Sequence, residues 1–264
     1  METISYQLKR RLKNTERAQL QARIDALAGS PVEAGTRRVV QPLDLPAIDR
    51  MLPGGGLVRG ALHEIVGCGS VATDTPAVAN GADGAASGFA AALLGRFALT
   101  GPVSWIAIRG DLHAPGSLAL GLDPARLFII EPANRRMALW AFEECLRTRR
   151  LAAVLAEIDH LALVESRRLQ LAAEAHGVAA IVLRAYGAGK TMAKAEASAA
   201  RTRWRVAAIT SRACEGVGAP CWRVTLAHCR GGRSGEWIVE QQAKTWRVVD
   251  DAVAALPEAR ALAG

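Results

Sequence analysis

Residues 63–88, HEIVGCGSVATDTPAVANGADGAASG, decide how this chain is read. They continue an apolar strand over 61–66 and break at glycine. A phosphate-binding loop begins in this way. A working loop then reaches Gly-Lys-Ser/Thr about five residues later and opens a helix there. Here no lysine lies between Lys13 and Lys190. The stretch reads as the frame of a nucleotide-binding domain without the ammonium group that would face the terminal phosphates. Its Gly, Ala, Ser, Thr and Asp residues show no period, so 67–88 is read as an unusually long loop. A helix is expected from about Ser87 to Ala98, carrying Phe89, Leu93, Leu94 and Phe97.

Downstream the pattern alternates. Apolar strands are expected over 103–108, 127–130, 151–158 and 178–183. Helices fall between them, one from Pro132 to about Arg150 and one over 166–176 ended by Gly177. Uniformly apolar strands separated by helices indicate a parallel sheet covered on both faces. The last third changes style. A strand is expected over 203–209. Two more, 221–229 and 236–241, flank Arg230-Gly-Gly-Arg-Ser-Gly235, a hairpin signal. The reading is an α/β fold with a mostly parallel central sheet, helices on both faces and an antiparallel C-terminal edge.

Upstream, Leu8, Leu12, Leu20, Ile24 and Leu27 recur near helical spacing over 3–28, with basic residues between them. Gly29-Ser30-Pro31 stops that helix. Four segments follow: an N-terminal helix over 1–30, a linker over 31–41, a core over 42–250 and an alanine-rich tail over 251–264.

The chain has 264 residues, net charge +8 and 50% apolar composition. It can bury a sizeable core. No apolar run reaches the length of a membrane span, and the charged N-terminus lacks the centre of a signal peptide. A cytoplasmic protein is expected. The basic excess is almost all arginine, which suits phosphate or carboxylate partners. The five cysteines form no CxxC pair and match no zinc spacing, so they read as ordinary thiols.

Several segments in order carry a resemblance. LDLPAIDRMLPGGGLVRGALHEIVG (43–67) looks like the lead-in to the core of RecA-family recombinases, and GLDPARLFII (121–130) continues it. ALWAFEECLRTRRLAAVLAE (138–157), RRLQLAAEA (167–175) and SAARTRWRV (198–206) resemble the ImuA family, RecA-like members of the damage-inducible mutagenesis cassette. The likeness spans roughly residues 40–245. It implies a RecA-like fold and an accessory role in SOS mutagenesis and translesion synthesis. The implied partners are an ImuB-like protein and an error-prone C-family polymerase. RecA, a second copy and single-stranded DNA are further candidates. No cofactor is implied, and the site of action would be the nucleoid after DNA damage. Two alternatives stay open: a DNA-dependent ATPase of the RecA superfamily, and a binding protein resembling cell-division inhibitors.

Mapped onto this pattern, the phosphate loop begins at Gly67 and Gly69. The metal-holding carboxylate falls at Glu157 or Asp159, closing a strand, with a loop-capping role as the plainer reading. The catalytic glutamate position falls near Asp111, one carbon shorter. The switch glutamine position holds Arg184. Each departs from a working ATPase, so no catalytic residue, metal or cofactor is expected. Gly187-Ala-Gly-Lys-Thr191 imitates the motif, but Arg184 stands where its first glycine belongs. Arg201, Arg203, Arg205, Arg230 and Arg233 are candidate DNA or partner contacts. Trp204, on the opposite strand face from Arg203 and Arg205, reads as core.

Overall fold

The computed structural model describes residues 39–68, 81–184, 197–211 and 218–250. The expected helix over 3–28, Gly69, the Gly187–Thr191 motif and the tail lie outside them. A compact unit begins at Val39. In chain order it contains β1 (Val40–Gln41), α1 (Pro46–Asp49), β2 (Leu57–Val58), β3 (Leu62–Cys68), α2 (Gly81–Ala98), β4 (Val103–Ile106), α3 (Ala114–Ser117), β5 (Leu127–Ile130), α4 (Arg135–Arg147), β6 (Ala153–Glu157), α5 (Leu163–His176), β7 (Ala179–Arg184), β8 (Thr202–Ala208), β9 (Cys221–Cys229), β10 (Gly235–Gln242) and β11 (Thr245–Asp250).

The main sheet has nine strands in the order β11-β10-β9-β8-β3-β7-β6-β4-β5. From β5 to β8 neighbours run parallel, and from β8 to β11 antiparallel. Strand β3 lies between β7 and β8, and each of its faces is covered by one of the two core layers, Ile65 in one and Leu62 in the other. Only a largely apolar strand can sit there. One layer packs α2 on Ile65, Trp105, Leu155, Leu183, Trp204 and Val206. The other packs α4 and α5 on Leu62, Val154, Ala156 and Val182.

Helix α2 starts at Gly81, well before the expected Ser87. Its first turns are glycine and alanine, which carry no apolar stripe to read. Alanine nevertheless has the highest helix propensity. Small residues also let the helix lie close to its neighbours. A Cβ on Gly95 would stand 2.7 Å from the Gly121 carbonyl oxygen. Gly95→Ala should therefore lower stability by about 1–3 kcal/mol, read as a shifted urea midpoint at unchanged slope.

Below α2 lies an aromatic cluster. Phe89 stands 6.1 Å from the rings of Trp204 and Trp222 and 5.5 Å from Trp246. Trp204 is fully buried, as its strand alternation indicated. The Trp246 indole donates to the Leu43 carbonyl at 2.7 Å and fixes β11 against the segment before α1. Two expectations need extension. The sheet continues past 241 into β11, and β1 and β2 form a separate antiparallel pair. Helix α4 begins at Arg135 rather than Pro132, because the Asn134 side chain accepts from the Met137 N–H and caps it.

Candidate functional site

The carboxyl ends of β4 and β6 and the first half of α2 enclose a cavity of about 480 Å³. Gly84, Ser87, Arg109, Asp111, His113 and Glu157 are among its lining residues. This is where an open parallel sheet ordinarily offers a ligand crevice.

Glu157 closes β6, as the sequence indicated, and is buried. Its Oε1 accepts from the Trp105 indole at 3.0 Å. Its Oε2 accepts from the backbone N–H groups of Ile108 at 3.1 Å and Arg109 at 3.3 Å. The Arg109 guanidinium lies 3.5 Å away. The carboxylate thus secures the loop that follows β4. Arg109 also donates to the Ser87 hydroxyl at 3.3 Å and faces Asp111 at 3.7 Å. Arg109 was not singled out from the sequence, because a loop arginine in a basic chain gives no signal by itself. One guanidinium set between two carboxylates leaves little positive potential for a polyphosphate.

At the loop position itself, strand β3 runs further than expected. Gly67 pairs in register with Val206 and Cys68 with Ala207, so both still belong to the sheet. The expectation that the strand ends at residue 66 is corrected: Gly67 and Cys68 are its last two residues. Among the described residues no group of three His, Cys, Asp or Glu could hold a metal ion. Asp111 with His113 forms only a pair beside the cavity. The described cysteines are free thiols, and burial pushes those of Cys145 and Cys229 above their ordinary range.

Arg184 ends β7 and is buried. Its Nε donates to the Asp159 carbonyl at 3.0 Å, and its guanidinium stands 4.0 Å from Glu64. Glu64, in the middle of β3, is fully buried. It pairs with Arg203 at 2.7 Å and accepts a hydrogen bond from the Ser198 hydroxyl. Arg203 is thereby committed to an internal ion pair. Arg201 and Arg205 are partly exposed, and Arg230 and Arg233 are exposed. The Glu64 cluster escaped the sequence reading, although a carboxylate inside a buried strand always requires partners.

The sheet order and the helix layers on both faces define a RecA-like α/β domain. No protein-family model matches the chain. Protein ImuA of Caulobacter vibrioides (strain NA1000 / CB15N) is 40% identical over 224 residues, covering 80% of this chain and 88% of that protein. Protein ImuA of Caulobacter vibrioides (strain ATCC 19089 / CIP 103742 / CB 15) matches to the same extent. The chain belongs to the ImuA family.

Among the described residues no helix is long and apolar enough to cross a membrane.

Proposed function

We propose that this chain is a non-catalytic accessory protein of SOS-induced mutagenesis, an adaptor that brings an ImuB-like protein and an error-prone C-family polymerase together at damaged DNA. The family assignment supports the mutagenesis setting. The engagement of Glu157 carries the non-catalytic part. A carboxylate that already accepts three hydrogen bonds and faces a guanidinium has little capacity left for magnesium. The absent lysine points the same way, since it normally neutralises the terminal phosphates.

Surface features favour docking. Strand β5 forms one edge of the sheet and exposes Phe128 and Ile129. Helix α4 exposes Met137 and Trp140. Large apolar side chains left in water are more typical of interfaces than of monomer surfaces.

Pure protein is expected to show no ATP turnover with or without single-stranded DNA. Millimolar magnesium-ATP should leave its melting temperature within about 1 °C, because a ligand that does not bind the native state cannot stabilise it. The protein should co-purify with a folded ImuB-like partner. DNA-stimulated turnover would instead establish the ATPase alternative. Failure to co-purify would remove the adaptor reading.

A further inference from the structure

A second pocket, of about 380 Å³, lies away from the Glu157 cavity, between α1 and the β9–β10 hairpin. Ala47, Met51, Gly235 and Trp237 give it apolar walls, and Arg50, Arg233 and Glu236 stand around them. The charges are not equivalent. Glu236 accepts from the Thr225 hydroxyl at 3.0 Å and faces the Arg223 guanidinium at 3.7 Å. Its charge is answered from within the fold. Arg50 and Arg233 are both exposed, and among the described residues neither side chain has a hydrogen bond or ion pair. Two uncommitted guanidinium groups therefore flank an apolar recess.

The backbone beneath them is fixed. The Arg233 N–H donates to the Met51 carbonyl at 3.1 Å, joining the hairpin to the end of α1. Gly232 permits that approach, because a Cβ there would stand 2.5 Å from the same carbonyl oxygen. Gly235 lets the hairpin backbone lie directly against the buried Trp237 ring, since a Cβ would overlap that ring at 2.5 Å. Holding the backbone in place before binding reduces the ordering cost of association.

We propose that this pocket docks an acidic peptide of a protein partner. One apolar side chain sits against the partly exposed Ala47 and Met51, and carboxylates beside it pair with Arg50 and Arg233. Charge complementarity selects the occupant: the free groups are both cationic, and guanidinium forks match carboxylates in geometry. The apolar walls favour a peptide over a nucleic-acid backbone, which presents phosphate without an aliphatic anchor. The inference deepens the adaptor reading and rests on it for its biological sense.

The test uses the full chain and fluorescence anisotropy. Three labelled probes are compared: the peptide Glu-Asp-Leu-Asp-Glu, the same peptide with serine for leucine, and an oligothymidylate strand. Saturable binding of the leucine peptide is expected, weakened about fivefold by the serine change. The Arg50→Glu/Arg233→Glu variant should lose at least about tenfold, and Arg50→Lys/Arg233→Lys should retain most of the affinity. Both arginines are exposed, so each variant should melt like the parent. No saturable peptide binding would overturn the proposal, as would equal binding by the charge-reversed variant. Binding of oligothymidylate alone would mark a phosphate surface instead. Peptide binding only after removal of residues 251–264 would make the chain's own tail the occupant, which also overturns it. Co-purification with an ImuB-like protein reads the adaptor role separately, so either idea can fail without the other.

Discussion

Glu64→Ala is expected to lower the stability of the domain by about 3–5 kcal/mol, among the largest single-residue effects in this fold. The carboxylate is fully buried at the centre of the sheet. Its removal takes a buried carboxylate away from the Arg203 guanidinium, 2.7 Å from it, and from buried Arg184 at 4.0 Å. Much of the loss is the burial cost of cations that no longer face this carboxylate, beyond the energy of the pair itself. Exchanging both partners for apolar residues should accordingly recover much of it. Urea denaturation of Glu64→Ala, Arg203→Met and the double variant measures this directly. The double variant should be more stable than the sum of the two single losses implies. A loss below about 1 kcal/mol for Glu64→Ala would show that the cluster does not support the fold.

Acidification should remove a further increment through His63. The ring is fully buried in β3. It is bonded on both sides, Nε2 to the Val58 carbonyl at 3.0 Å and Nδ1 to the Thr202 hydroxyl at 2.8 Å. The Thr202 oxygen already accepts from the Trp204 indole at 2.9 Å. It therefore turns its own proton toward Nδ1, leaving Nε2–H to donate to Val58. The arrangement suits a neutral imidazole. Burial pushes the pKa down from 6.5 to about 4; the Val58 carbonyl opposes the shift and the Arg201 charge adds to it. The native state thus resists a proton that the unfolded chain accepts. His63 contributes its full stability above about pH 6.5, loses it as pH falls toward 4, and adds no further slope below that. The span corresponds to roughly 3 kcal/mol. Stability curves at several pH values should be flatter by about that amount in His63→Gln between pH 6.5 and 4. Parallel curves for the two proteins would show that His63 does not set the acid limb.

Much of the architecture was legible because burial leaves a compositional trace. The runs around Val103, Ala153 and Ala179 are continuous and apolar, as strands covered on both faces must be, and the run around Leu127 is equally apolar although β5 is an edge strand that exposes Phe128 and Ile129. The helices carrying Phe142 and Leu169 kept their spacing. Trp204 could be assigned to the core because alternation placed it opposite its arginine neighbours. What stayed hidden depends on long-range partners. The early start of α2 left no mark, since glycine and alanine show no apolar period. Strand β11 was missed because Arg247 interrupts its apolar residues, and its anchor is the bond from Trp246 to Leu43, some two hundred residues away. At the site, the position of Glu157 was readable from its strand end. Its partners Trp105 and Arg109 were not, because only the sheet order brings β4 beside β6. Glu64 and His63 were the strongest missed signals: two titratable residues adjoining in an otherwise apolar strand.

The Glu64 carboxylate has one more consequence. Arg184 ends β7, and Ser198 lies shortly before β8. Both converge on that single side chain, one by charge and the other by its hydroxyl. Since β3 lies between β7 and β8, one carboxylate acts as a clasp that ties three neighbouring strands in register.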